Sequence, residues 1–246
     1  MIFNVEETIV PFHTADRWQW AWKPQGPVLA ARHLQAALKR GIRAWDRRRW
    51  AGLTGAEPPV GEPEYRQYLR EVLWAIADRR LSDAETEAVV DRFLKAPVAR
   101  DPPPDLAPTL QRLRREGMRV AVLGERPGPL ATEELRRSGS LANFDHVAGA
   151  KSDAPWPPRK EAFRGACAEL GLHPKEVVFV GHLFWSEVRA AHRAGLSAYL
   201  LDRNDWWPKV SERRVRALTD LPASFEAPPD PAVPPEVGGP GEDRSG

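Results

Sequence analysis

The apolar positions of this chain change period twice. Residues 1 to 4 of MIFNVEETIV form a short apolar run that ends in polar positions at Asn4, Glu6, Glu7 and Thr8. Such a run predicts a brief buried strand with a polar tip. From about Thr14 to Lys95 the pattern is helical. Tyr65, Tyr68, Leu69, Val72, Leu73 and Ile76 recur at spacings of three and four, which makes one apolar stripe on a helix within 63–80. Ser82-Asp83-Ala84-Glu85 has capping-box spacing and starts a further helix through Val89, Val90, Phe93 and Leu94.

After Pro102-Pro103-Pro104 the pattern alternates. A helix over 106–115 stops at Gly117, RVAVL (119–123) is a β-branched strand, and 130–137 is helical. A short strand over 145–148 precedes the Pro-rich loop APWPP and a helix over 159–170. VVFV (177–180) is a buried strand, 187–194 a helix, and AYLL (198–201) the final strand. Strands that are apolar on both faces and alternate with helices predict an α/β fold: a Rossmann-like parallel sheet with helices on both faces. From about Pro222 the sequence is too poor in apolar residues to fold, and the Pro/Gly-rich tail is expected to be disordered.

Composition narrows the function classes. The 246 residues are 42% hydrophobic and 28% charged, and the formal net charge is +2. A near-balanced charge argues against nucleic acid as the main ligand. No apolar run approaches the roughly 18–20 residues of a membrane-spanning helix, and the opening residues lack a basic n-region followed by an apolar h-region, so no export signal is expected. With Cys167 the single cysteine, no intramolecular disulfide forms, so a cytoplasmic setting is expected. The preference for Arg over Lys reads as the coding bias of a GC-rich bacterial genome.

In an open parallel sheet the chemistry sits beyond the carboxyl ends of the strands. Here these ends are Asn4 to Thr8, Gly124-Glu125 and Gly181-His182, with Glu187 five residues further on. An acidic-x-acidic-x-Thr frame at the first tip, an immediate helical insertion, EGMRVAVLGERPG, PRKEAF and HPKEVVFVGHLFWSEVRAAHRAGLSAYLLDR together resemble the haloacid dehalogenase-like (HAD) superfamily with an inserted helical cap. The resemblance covers about residues 1–205. It implies a HAD-like core from 1–12 and 97–222, an all-helical cap over 13–96, and a tail over 223–246.

The resemblance also implies roles, and most of the positions depart from them. The nucleophilic aspartate falls on Asn4, whose neutral amide lacks the nucleophilicity that an aspartyl-phosphate route needs. The acid/base aspartate falls on Glu6, one methylene longer. Thr8 matches. The phosphate-binding Ser or Thr falls on Gly124, followed by Glu125. The phosphate-neutralising lysine falls on Pro157, with Lys151, Arg159 and Lys160 nearby. The Mg²⁺-holding aspartates fall on His182 and Glu187, and an imidazole there disfavours Mg²⁺. Three readings stay open: a vacated pocket in which these groups only hydrogen-bond; an altered site for Zn²⁺, Mn²⁺ or Ni²⁺ on Asn4, Glu6, His182 and Glu187; and a shifted nucleophile, Glu6 or Glu7. The reading favoured is a catalytically degenerate pseudoenzyme without cofactor, acting by ligand or partner binding. Its alternative is a metal-dependent, phosphatase-like hydrolase with Mg²⁺ or another divalent ion, acting on a small phosphorylated metabolite.

Trp18, Trp20, Trp22, Trp45 and Trp50 lie near Arg17, Arg43, Arg47, Arg48 and Arg49. The bland reading is that the indoles pack the helical region onto the sheet; the sharper one is a surface for a protein partner. A single-stranded nucleic-acid surface is conceivable, but no nucleic-acid fold signature accompanies it. Cys167 reads as a buried structural thiol, and the remaining histidines as structural.

Overall fold

The structure is a computed structural model, and it describes residues 1–10, 15–26, 29–56, 62–77, 79–96, 101–150, 160–211, 213–223 and 225. The APWPP loop, Lys151, Pro157, Arg159 and nearly all of the expected tail therefore lie outside the described residues.

β1 (Ile2–Asn4) is followed by four helices: α1 (Ala15–Trp22), α2 (Ala31–Thr54), α3 (Glu62–Ile76) and α4 (Asp83–Lys95). The stripe read on α3 faces inward, with Tyr68, Leu69, Val72, Leu73 and Ile76 buried. The Ser82 capping box is complete: the hydroxyl accepts from Glu85 N, and the Glu85 carboxylate accepts from Ser82 N at 2.8 Å. Two orphan donors at the start of α4 are thus satisfied reciprocally. α2 and α3 approach closely at Gly41, where a Cβ would lie 2.5 Å from a Val72 methyl.

The alternating half consists of α5 (Leu106–Arg115), β2 (Ala121–Pro127), α6 (Gly128–Arg137), β3 (His146–Ala150), α7 (Lys160–Glu169), β4 (Val178–Gly181), α8 (Ala190–Ala194), β5 (Ser197–Leu201) and β6 (Arg214–Val215). These strands and β1 form one six-stranded sheet in the order β3-β2-β1-β4-β5-β6, and every pairing is parallel. The parallel α/β reading holds. AYLL is not the last strand, because β6 adds two residues at the edge; two residues carry no periodicity from which to predict them. The helix expected from Glu187 starts earlier, with a π-type turn over Phe184–Arg189 that runs into α8.

Successive strand residues point to opposite faces. Ile2, Ala121, Phe179 and Ala198 join one buried cluster, while Phe3, Val122 and Val180 join the other with α5 and α6. The first cluster also takes in Trp18, Trp22, Leu34, Trp45 and Phe93 of the four helices, so they share a core with the sheet.

Candidate functional site

The strand order reverses at β1, where β2 lies on one side and β4 on the other. Ligand crevices of open parallel sheets lie at such a switch point. The tips of β1 and β4 therefore bring Asn4 and His182 together, although 178 residues separate them.

After Asn4 the chain tightens into a loop. Thr8 N donates to Glu6 O at 2.7 Å, Ile9 N and Val10 N donate to Val5 O, and Glu7 takes a left-handed backbone at φ 56°. A non-glycine residue in that region is strained, and such strain concentrates at functional positions. The Asn4 amide nitrogen donates to Glu6 O at 2.9 Å and to Glu187 Oε1 at 3.1 Å. Both partners are acceptors only, so the amide orientation follows from its neighbours. The same nitrogen lies 3.5 Å from His182 Nδ1.

Glu187 is fully buried. Its Oε2 accepts from His182 N at 2.8 Å and from Leu183 N at 3.2 Å, and lies 3.4 Å from His182 Nδ1. Burial alone would push this carboxyl up; the charge and hydrogen bond of His182, then Arg49 and the backbone donors, outweigh it and hold the group below its ordinary value. Gly181 makes room for this arrangement, since a Cβ there would lie 2.4 Å from Glu187 Oε2 and 2.6 Å from the Phe179 ring.

Asp46 was invisible as a site residue in the sequence, where it reads as one more charge in RAWDRRRW. On α2 it is fully buried and reaches across to the 184–189 turn after β4. Its Oδ2 accepts from Trp185 N and its Oδ1 from Ser186 N, both at 2.8 Å. Burial pushes its carboxyl up, opposed by Ser186, Trp185 and Arg49.

Of the other expected positions, Gly124 follows Leu123, the register partner of Asn4, at the adjacent strand end. Thr8 is buried, and its hydroxyl makes no hydrogen bond among the described residues. Gly124 is buried in β2 opposite Gly149, and Glu125 is placed in β2 by its backbone alone. Lys160 is the exposed first residue of α7. Glu6 is buried beside the tip. A cavity of about 250 Å³ opens between α2 and the sheet, lined by Glu7, Gln35, Leu38, His182, Arg203 and Trp206. Arg203 is committed there to Asp105 through two hydrogen bonds of 2.7 and 2.9 Å.

Most of the Trp/Arg sequence is packing. Trp18 lies against Phe93 with ring centres 4.3 Å apart, Trp45 stacks on Tyr68 at 5.4 Å, and buried Arg17 donates to Phe93 O at 2.8 Å. Only Trp20 and Trp74 are exposed large hydrophobics among the described residues. Cys167 is buried, and burial raises its thiol pKa.

The described residues do not fit Mg²⁺. The Glu6 carbonyl and Glu187 Oε1 both accept from the Asn4 N–H₂ group, Glu187 Oε2 is taken by backbone donors, and an imidazole stands where a hard cation needs oxygen. Among the described residues no group of three or more His, Cys, Asp or Glu is placed to hold a metal ion. The amide nitrogen of Asn4 sits at the centre of the acceptors that a cation would use.

The model of the haloacid dehalogenase-like hydrolases matches residues 5–195. The chain belongs to that family. Curated relatives include the glyceraldehyde 3-phosphate phosphatase of Methanopyrus kandleri, 30% identical over 121 residues, which are 49% of this chain and 50% of that protein. Another is the (S)-2-haloacid dehalogenase 4A of Burkholderia cepacia, 24% identical over 159 residues, covering 60% of this chain and 68% of that protein. The chain thus spans about half the length of the first of these. Among solved structures, the Bacillus subtilis HAD-hydrolase YfnB, described as bound to magnesium, superposes with a TM-score of 0.63 at 16% identity over 89% of this chain and 95% of that one. The L-2-haloacid dehalogenase RSc1362 gives 0.59 at 19% identity over the same shares. Both likenesses speak for the fold alone. No helix among the described residues is long and apolar enough to cross a membrane.

Proposed function

We propose that this HAD-like chain is a pseudoenzyme: α1–α4 act as its cap, and the cavity beneath them binds a small ligand without hydrolysing it. One observation carries this reading. The side chain at the tip of β1 is an amide that donates hydrogen bonds to Glu6 O and Glu187, where the family's chemistry needs a carboxylate that attacks. An amide oxygen is a weak nucleophile and brings no charge to attract a cation. The cavity is lined by apolar side chains with Gln35 of α2, Glu7 of the β1 loop and His182 at the β4 tip among them, which suits a compact ligand carrying a few polar groups.

A second reading is an active hydrolase of a small phosphorylated metabolite. Two relatives are named as phosphatases, the glyceraldehyde 3-phosphate phosphatase and a phosphoglycolate phosphatase of Pasteurella multocida. His182 at the cavity wall, with the buried carboxylate of Glu187 beside it, favours it, since a base held by a carboxylate is a general-base arrangement.

A single assay separates the two. Full-length protein is incubated with p-nitrophenyl phosphate and with Mg²⁺, Mn²⁺, Co²⁺ or Zn²⁺, beside Glu6→Ala and His182→Ala controls. The pseudoenzyme reading expects the three proteins to be indistinguishable. Metal-dependent turnover that either substitution abolishes establishes the hydrolase instead.

A further inference from the structure

The start of the turn at 184–189 is capped by two carboxylates, one from within the turn and one from α2. Leu183 is its N-cap residue and supplies no side-chain hydrogen bond, so the first backbone donors need partners. Two carboxylates supply them. Glu187 reaches back to the N–H groups of His182 and Leu183, and Asp46 reaches across from α2 to those of Trp185 and Ser186. Carboxylates at the start of a helical turn are favourably placed in charge as well. One of the two therefore belongs to the crevice and the other to the helical layer above it.

Further contacts hold α2 against this turn, α8 and the loop after β5. Arg43 Nε donates to Trp206 O, and Lys39 lies 3.7 Å from Asp205. The Trp50 and Trp185 rings are 6.1 Å apart, Arg189 lies over both, and Arg193 lies over Trp50 at 5.3 Å. Asp46 is the fully buried member of this seam, and both its oxygens are spent on backbone rather than on a cation.

We propose that Asp46 is a positioning residue that couples the α1–α4 layer to the crevice: it fixes the 184–189 turn, the turn fixes Glu187, and Glu187 fixes the amide of Asn4. Loss of the Asp46 carboxylate leaves the Trp185 and Ser186 N–H groups, the second of them buried, without this acceptor, which the turn recovers only by moving. Because Glu187 is a residue of that turn, its hold on His182, Leu183 and Asn4 loosens with it. Displacement of α2 has the same consequence, so the layer cannot lift away while the crevice keeps its present arrangement.

The test is amide hydrogen exchange by NMR on the full chain, comparing the parent with Asp46→Ala, Asp46→Asn and Leu69→Ala. The last removes packing inside the helical layer without touching the seam, and it sets the acceleration due to destabilisation alone. Relative to Leu69→Ala, Asp46→Ala is expected to speed exchange at His182 and Leu183 at least tenfold and to shift the Asn4 side-chain N–H₂ resonances. Acceleration confined to Trp185 and Ser186, with His182 and Leu183 exchanging as in Leu69→Ala, overturns the proposal. Should neither Asp46 variant fold, the denaturant dependence of exchange in the parent decides: one shared opening for the α2 amides around Asp46 and those of 182 and 183 supports the coupling, and separate openings refute it. None of these readouts depends on turnover, so they stand apart from the hydrolysis assay.

Discussion

The Asn4 amide nitrogen lies 3.1 Å from Glu187 Oε1 and donates to it. The contact is attractive because one partner is an amide. In Asn4→Asp two carboxylates would meet at that distance inside a buried site, and they cannot both stay ionised without cost. The carbonyl of Glu6 would lose its side-chain donor as well. We expect urea denaturation at neutral pH to show a loss on the order of 2–3 kcal/mol. Added Mg²⁺ should raise the midpoint of the variant more than that of the parent. On the pseudoenzyme reading, hydrolysis of p-nitrophenyl phosphate should not appear in the variant, because His182 remains. A variant as stable as the parent would mean that the Asn4–Glu187 bond contributes little.

Gly181 is the position at which the smallest addition should do the most damage. Its Cβ would sit 2.4 Å from Glu187 Oε2 and 2.6 Å from the ring of Phe179, itself packed edge-on against Phe163 at 5.0 Å. Neither neighbour is the free end of a flexible chain, so Gly181→Ala should cost about 1–3 kcal/mol through overpacking. Gly165 is the internal control. It lies within α7, and a Cβ there meets nothing within 4 Å. Gly165→Ala should stabilise by about 0.5–1 kcal/mol through helix propensity. Chemical denaturation of both variants checks the contrast, and equal effects would remove the crowding argument.

How far the sequence spoke depends on how local each signal is. The Ser82 capping box, the α3 stripe and the stop at Gly117, with φ 75°, depend on neighbours within a turn or two, and all three are found as read. The parallel sheet was legible because VVFV and RVAVL are apolar on both faces. Asn4 and His182 were named from strand tips, and the sheet brings them together. Asp46 was not legible, because a carboxylate among arginines on a helix reads as a solvated charge until α2 is docked on the 184–189 turn. The early start of that turn was hidden for a related reason: Phe184 and Trp185 have no helix signal of their own, and the donors of the turn are satisfied by Asp46 from another segment.

The wall of the cavity carries the clearest pH signature. Asp105 accepts two hydrogen bonds from Arg203 and one from Leu218 N at 2.7 Å, which ties the segment before α5 to the loop after β5. Burial raises the Asp105 carboxyl, but Arg203 and the Leu218 N–H outweigh burial, and its pKa lies below the ordinary aspartate value. A carboxyl whose folded pKa is depressed stabilises the fold above its unfolded pKa, about 3.9. That contribution is lost as pH falls through the folded value, because the unfolded chain binds its proton first. Asp105→Asn keeps an acceptor but has no charge to titrate. At pH 7 it should be less stable than the parent by about 1 kcal/mol, near the low end for a charged hydrogen bond because Arg203 is partly exposed to screening solvent. The gap should shrink steadily below about pH 4, as the parent loses what the variant never had. Urea midpoints of both proteins between neutral and acidic pH measure it. A gap that persists unchanged at the acid end would show that packing, and not the Asp105 charge, holds Arg203 at the cavity wall.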